Sequence, residues 1–243
     1  MTFAAETPWL AEAAESKSAE DLLRWALDRF HPRIVFASSF GADDVVVIHM
    51  LARIRRDVRI FTLDTGRLPE ETYEVMESIR NRYGVVFETH FPDKHKVERL
   101  EREKGFYSFR ETLENRKECC RIRKVEPLGA ALSGLDAWIT GLRREQAVTR
   151  DGTAKLERDE SHPGLWKLNP IADWTLGQVW AFIREHQIPY NALHDRGFTS
   201  IGCAPCTRAV RPGEDVRAGR WWWELPEQKE CGLHSVHPTP PPD

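Results

Sequence analysis

Four short runs of β-branched and aromatic residues constrain this chain more than any other feature. They are Ile34-Val35-Phe36-Ala37, Val58-Arg59-Ile60-Phe61-Thr62-Leu63, Val85-Val86-Phe87-Glu88-Thr89 and Ala137-Trp138-Ile139-Thr140. Near-continuous apolar runs of this length read as strands buried on both faces, which is the mark of a parallel sheet. Helical patterns lie between and around them. Ser18-Ala19-Glu20-Asp21 starts a helix that carries Leu22, Leu23, Trp25, Ala26, Leu27 and Phe30. Asp43 to Ile54 is apolar over much of a helical circumference and is expected to be buried. Pro69-Glu70-Glu71 opens another helix, with acids favouring the dipole. Thr175-Leu176-Gly177-Gln178 is a capping box ahead of a helix bearing Val179, Trp180, Phe182 and Ile183. The alternation predicts an α/β fold, an open and mostly parallel sheet flanked by helices. From about Asn191 the periodicity fades, and Arg211 to Arg220 reads as a polar loop. The last seven residues include four prolines and are expected to be disordered.

The 243 residues suit one sizeable domain, or one domain with a smaller appended part. Lys and Arg total 35 against 38 Asp and Glu, so the net charge of -3 argues against a protein that coats nucleic acid, while leaving room for a local basic pocket. The longest aliphatic run, Val45-Val46-Val47-Ile48, is far too short to cross a bilayer, and the first residues lack a basic n-region and an apolar stretch. No membrane partner is expected, and the expected location is the cytoplasm, with reduced thiols.

Five cysteines exclude a complete intramolecular disulfide framework. They divide into an adjacent pair, Cys119-Cys120, a C-x-x-C, Cys203-Ala204-Pro205-Cys206, and a solitary Cys231 in Glu230-Cys231-Gly232-Leu233-His234. Two close pairs from distant segments can make a four-thiolate site for zinc or for an iron–sulfur cluster. A C-x-x-C alone is also read as a redox dithiol. Adjacent helical side chains diverge by about 100°, which suits ligands bound to different atoms of a multi-iron cluster better than one tetrahedral zinc. Cys231 is either a small buried hydrophobe or a nucleophile, with His234 placed to orient it or simply exposed.

Three strand ends carry candidate binding residues to one edge, where open α/β sheets take their ligands. Ser38-Ser39-Phe40-Gly41-Ala42-Asp43 turns from the first strand into a helix, whose N-terminal amides can hold phosphate. It is neither a Walker loop nor G-x-G-x-x-G. Leu63-Asp64-Thr65-Gly66 ends the second strand, and Thr140-Gly141-Leu142-Arg143-Arg144-Glu145-Gln146 follows the fourth. With Arg150 they suit a nucleotide bearing an anionic group. The basic stretch Arg116 to Lys124 surrounds the first cysteine pair. In an α-helix Lys124 would share a face with Cys120. Arg208, Arg211, Arg217 and Arg220 follow the second pair. Trp221-Trp222-Trp223 reads as packing rather than chemistry.

These residues together resemble the thioredoxin-dependent adenylyl-sulfate (APS) reductases, the [4Fe-4S] branch of the phosphoadenylyl-sulfate (PAPS) reductase family. The resemblance runs from about Ile34 to His234. Its most specific parts are Cys119-Cys120-Arg121-Ile122-Arg123-Lys124-Val125-Glu126-Pro127-Leu128, Gly202-Cys203-Ala204-Pro205-Cys206-Thr207, Gly219-Arg220-Trp221-Trp222-Trp223-Glu224 and Glu230 to His234. It implies an adenine nucleotide alpha hydrolase-like fold, a [4Fe-4S] cluster on Cys119, Cys120, Cys203 and Cys206, and Cys231 as nucleophile on a mobile C-terminal segment. It implies assimilatory sulfate reduction, on the way to cysteine biosynthesis. APS is the expected small-molecule substrate, thioredoxin or glutaredoxin the reductant, and a homo-oligomer is possible in such relatives. Arg116 departs from the pattern, standing where a relative has histidine.

The expected organisation is an N-terminal helical segment (1–30), an α/β nucleotide- and cluster-binding domain (31–210), a mobile C-terminal segment (211–236) and a Pro-rich tail (237–243). The expected chemistry is attack of the Cys231 thiolate on APS sulfur, expulsion of AMP, and release of sulfite from the S-sulfocysteine by a thiol donor. Ser38, Ser39, Gly41, Leu63, Thr65, Gly66, Lys124, Gly141, Arg143, Arg144, Arg150, Arg217, Arg220 and His234 are the candidate substrate-binding residues. Alternatives are a cluster-bearing reductase acting on PAPS or on both nucleotides, and a non-catalytic zinc or iron–sulfur redox sensor. An ATP-pyrophosphatase-like adenylating or sulfur-inserting enzyme would want an S-G-G-x-D-S loop, and Ser38 to Asp43 lacks the double glycine.

Overall fold

A computed structural model describes residues 7–147, 150–225, 229 and 232–233. Helices α1 (Thr7–Glu15) and α2 (Ala19–Phe30) precede strand β1 (Ile34–Ala37). There follow α3 (Ala42–Ile54), β2 (Arg59–Leu63), α4 (Glu70–Tyr83), β3 (Phe87–His90), α5 (Lys94–Lys104) and α6 (Leu113–Cys120). A five-residue π-helical stretch, Arg121–Val125, joins α6 to α7 (Glu126–Leu132). Then come β4 (Ala137–Ile139), β5 (Leu156–Arg158), β6 (Trp166–Leu168) and α8 (Leu176–Glu185).

The strand order is β3-β2-β1-β4-β6-β5. Every pairing is parallel except β5 against β6. Chain order therefore reverses between β1 and β4, where an open α/β sheet forms its ligand crevice. Side chains alternate between two cores, as the pleat requires. Ile34, Phe36, Ile60, Ala137 and Ile139 face the larger core with α2, α3, α4 and α8. Val35, Phe61 and Trp138 face the smaller one, covered by Leu128, Ala131 and Leu132 of α7.

Local chemistry fixes the helix ends. The Ser18 hydroxyl accepts from the Asp21 amide, Thr112 caps α6 through the Asn115 amide, and Thr175 and Gln178 make the expected reciprocal capping box. The basic stretch around the first cysteines is helical, but from Arg121 to Val125 it is π rather than α. Its hydrogen bonds run to the fifth residue, so the α-helical offset between Cys120 and Lys124 does not apply. Pro127 sits in the first turn of α7, directly after the π-helical stretch and continuous with it, so its missing N–H interrupts the hydrogen-bond ladder there. Strands β5 and β6, three residues each, and the strongly polar α5 are elements that hydrophobic periodicity does not reveal. Among the described residues no helix is long and apolar enough to cross a membrane.

Candidate active site

The ends of β1, β2 and β4 open onto a cavity of about 620 Å³, a volume suited to a nucleotide. Ser38, Ser39, Gly41, Leu63, Thr65, Gly141 and Arg143 line it from those strand ends, with Lys124, Arg150, Arg217 and Arg220 from elsewhere. Gly66 is absent from the lining. It turns the chain with φ 70°, its amide donates to Asp64 Oδ1 (2.8 Å), and it lies 3.5 Å, measured from a built Cβ, from the Arg123 guanidinium.

Asp44 organises the β1 turn from within α3. Its Oδ2 accepts from both the amide (2.6 Å) and the hydroxyl (2.8 Å) of Ser39. The Ser39 hydroxyl is thus already donated, and only its acceptor capacity remains for a ligand. Asp44 is buried. Burial pushes its carboxyl up to about 6, against the lowering pull of the Ser39 bonds, and Asp43 adds to the rise. The β4 turn presses on the same side chain: a Cβ at Gly141 would overlap Asp44 Oδ1 and sit 3.3 Å from the Asp44 amide.

The arginines divide by partner. Arg143 is buried and tied to Asp43 (2.5 Å), Glu145 (3.1 Å) and the Trp174 carbonyl (3.2 Å). Arg144 turns away from the cavity, to Glu15 (2.7 Å) and the Thr153 carbonyl (2.8 Å). Arg150 donates to Gln146 Oε1 (2.6 Å), and Arg217 donates to the Lys229 carbonyl (2.8 Å). Arg220 is 7% exposed and lies over the Trp221 ring, 4.6 Å from its centroid. Its NH1 reaches Ser200 Oγ and the Ile201 carbonyl at 3.3 Å, and its Nε is buried with no hydrogen-bond partner. Among the described residues no carboxylate pairs with it. A buried guanidinium without a carboxylate calls for another anion.

The two cysteine pairs meet beside this cavity. Cys119 and Cys120 end α6, while Cys203 precedes and Cys206 ends a single 3₁₀ turn, Ala204–Cys206. Each pair lies in the electrostatic field of the other. Burial pushes the Cys206 thiol up to about 12, and Cys203, Cys120 and Cys119 add to the rise while Lys124 opposes it. Burial also raises Cys119, with Cys203 adding and Arg123 and Arg67 opposing. At Cys203 burial acts upward too, but Lys124, the Thr65 hydroxyl at 3.2 Å, Arg220 and Arg123 outweigh it, and the net direction is down. Lys124 and Arg220 thus face both the thiols and the cavity. Among the described residues no three His, Cys, Asp or Glu side chains converge on one metal ion. The donor set is four thiols in a cationic surround, a set that serves zinc or an iron–sulfur cluster.

Cys231 and His234 lie outside the described residues, as do the first six residues and the Pro-rich tail. Between them Leu233 lines the cavity and packs against the Val35, Phe61 and Trp138 core. The cavity also takes Thr140, Gln146, Trp180, Arg184, Tyr190 and His194. Thr140 and Gln146 fall within the turn read from the sequence. Trp180 and Arg184 come from α8, Tyr190 from the link after it and His194 from the 3₁₀ turn Ala192–Arg196, where no motif marks them.

Known proteins resemble this chain over most of its length. The family model for the phosphoadenosine phosphosulfate reductase domain matches residues 33–209. The adenosine 5'-phosphosulfate reductase of Allochromatium vinosum is 54% identical over 201 residues, covering 83% of this chain and 78% of its own. That of Burkholderia cepacia is 46% identical over 242 residues, covering 100% and 96%. A crystal structure of phosphoadenylyl-sulfate reductase from Candida auris, a phosphate complex, superposes with a TM-score of 0.73 at 27% identity, covering 86% of this chain and 98% of that one.

Proposed function

The chain belongs to the phosphoadenosine phosphosulfate reductase family, and on that premise we propose that it reduces adenosine 5'-phosphosulfate to sulfite and AMP, with thiols supplying both electrons. The observation that carries this reading is Arg220, a buried cation on the cavity wall with no carboxylate partner among the described residues. Its neighbours in the wall include Lys124 and Arg217. A phosphosulfate supplies the anion such a site lacks, while the crevice between β1 and β4 takes the nucleoside. Relatives at 54% and 46% identity bear the name of an APS reductase, and this favours APS over its 3'-phosphorylated form.

In the first step the Cys231 thiolate attacks the APS sulfur. The S–O bond breaks, its electron pair leaves on the phosphate oxygen of AMP, and Cys231 carries an S-sulfonate. In the second, a thiolate of a dithiol reductant such as thioredoxin or glutaredoxin attacks the Cys231 sulfur and expels sulfite. The second thiol of the donor resolves the mixed disulfide, so the dithiol is oxidised and sulfur(VI) becomes sulfur(IV). Lys124, Arg217 and Arg220 hold the phosphosulfate and stabilise charge arriving on AMP. Arg143 and Arg144 have carboxylate partners and act on the turns instead. Cys119, Cys120, Cys203 and Cys206 fit a [4Fe-4S] cluster by donor type, by mutual proximity and by the cations facing them. A cluster held by these four thiols would supply a fixed charge and a cross-link between α6 and the segment after α8, with no change of oxidation state required. His234 follows the nucleophile by three positions and is assigned to orient it. The expected setting is the cytoplasm.

The test is a single turnover under anaerobic conditions without reductant, with APS and PAPS in separate reactions and intact-mass readout. One sulfo group mapped to Cys231 from APS alone is the expected result. An adduct from both nucleotides makes the enzyme bifunctional and refutes the APS preference. No adduct from either, on protein that carries its cluster, overturns the reading in favour of a sensor.

A further inference from the structure

The two edges of the sheet differ. Strand β5 lies against α1, and the Lys155 amide just before it donates to Glu15 of that helix (2.8 Å). Strand β3 forms the other edge, and among the described residues no strand pairs with its outer side. The His90 carbonyl accepts from the Asp64 amide (3.0 Å). In a parallel ladder a residue turns its amide and its carbonyl the same way. His90 and Glu88 therefore serve β2, while Phe87, Thr89 and Phe91 turn their backbone groups outward. Among the described residues those outward groups have no hydrogen-bond partner. Apolar side chains stand in the open at both ends of the strand: Val86 is 82% exposed and Phe91 63%. Such an edge is a template for a further strand.

We propose that β3 pairs antiparallel with β3 of a second copy of this chain, about a two-fold axis at Thr89, so that two six-stranded sheets become one. Register and charge select this occupant. A two-fold axis normal to the sheet keeps each face on its own side, so opposed residues must come from the same face. An axis at Glu88 would set two carboxylates against each other. An axis at His90 would oppose two imidazoles and set Phe87 against the acid Asp93. An axis at Thr89 has neither fault. Thr89 then exchanges both backbone bonds with its own copy, and Phe87 does so with Phe91 of the partner subunit. These are the very groups left outward. Glu88 falls opposite His90 of the partner subunit, at the closer spacing of a pair without mutual backbone bonds. The Glu88 carboxylate holds Arg59 (2.7 and 2.9 Å) and keeps lone pairs for an imidazole N–H. The Phe87 ring is braced edge-on against Phe40 (4.9 Å), so Phe91 of the partner subunit meets a fixed apolar surface.

The inference does not depend on the reaction proposed above. Sedimentation velocity of the full chain over a dilution series should show a dimer. Amide exchange at Phe87, Thr89 and Phe91 should slow at the concentrations where that dimer forms. Thr89→Pro removes the donor on the axis, at an edge position where a strand accepts proline. Phe91→Asp sets an acid against Phe87 of the partner subunit, and His90→Glu sets like charges against each other. Each should raise the dimer Kd by about tenfold or more, with the circular dichroism spectrum unchanged. Added salt should relieve the effect of His90→Glu alone. A wild type that stays monomeric across the series overturns the proposal. So does a dimer that none of the three variants weakens, because another face then holds it. A larger assembly that the variants split supports the pairing, and one they leave whole overturns it. If Thr89→Pro fails to fold, Phe91→Asp carries the test from an exposed position.

Discussion

Asp44→Asn separates what the β1 turn costs from what it does. In the folded protein the Asp44 carboxyl titrates at about 6 rather than its ordinary 3.8, chiefly because it is buried. A raised acid binds its proton more tightly folded than unfolded, so its ionisation opposes folding. The penalty is absent below about 3.8, grows as pH rises through the window, and is complete above about 6, where it reaches about 3 kcal/mol. Asparagine has no such penalty and keeps one acceptor for Ser39. Lowering the pH from 7.5 to 5 should therefore stabilise the wild type relative to Asp44→Asn by about 1.4 kcal/mol, or roughly 3 to 6 °C in Tm for a chain of this size. At pH 7.5 the variant should be at least as stable as the wild type. AMP affinity should nonetheless fall about fivefold, because neutral bonds replace charge-assisted ones at Ser39. Differential scanning calorimetry across the pH range, with AMP titrations at pH 7.5, reads both effects. Parallel Tm–pH profiles for the two proteins would refute the assignment of a buried, ionised Asp44.

Other substitutions probe other parts of the site. In Gly202→Ala the new Cβ overlaps the Arg220 guanidinium, so the arginine must swing out and KM for APS should rise about tenfold while Tm changes little. In Gly141→Ala the obstacle is the Asp44 side chain plus backbone at 3.3 and 3.4 Å, which cannot yield, and a loss of about 1 to 3 kcal/mol in urea unfolding is expected. Cys206→Ser removes one of the four thiols, and the purified protein should lose both bound iron and its visible absorbance. A variant with full iron would exclude Cys206 as a ligand. Cys231→Ser should keep the iron but form no sulfo adduct, and full turnover by that protein would sink the nucleophile assignment.

Much of this was legible from residue order because local and global preferences agree. Ile34–Ala37 is the strand its run predicts, and Ser18 and Thr175 cap the helices they precede. The crevice follows from three turns on the same edge, since parallel strands send all their C-terminal ends one way. The missing parts have physical reasons too. β5 and β6 contribute too few residues to show a period, and α5 presents only Leu100 to the interior. The π-helical stretch after Cys120 is not announced by its residue pattern. An arginine in a sequence does not declare its partner, so Arg143 and Arg144 read like Arg220 until Asp43 and Glu15 are seen beside them. Asp44 gives no signal in the sequence, because a carboxylate in a first turn normally serves the helix dipole, whereas this one turns back to Ser39.

The strand order also dictates a sequence of events during synthesis. β1 sits at the centre of the sheet, yet its partner β4 emerges about a hundred residues later, and β6 later still. Cys119 and Cys120 leave the ribosome before either partner exists, while Cys203 and Cys206 follow both. The first thiol pair must therefore wait, reduced and unligated, until the sheet has closed and the second pair arrives. If these thiols hold the proposed cluster, its iron is consequently loaded late, on a nearly finished domain. An oxidant encountered during that interval meets two adjacent thiols with nothing yet built around them, so the nascent chain is more vulnerable than the mature one.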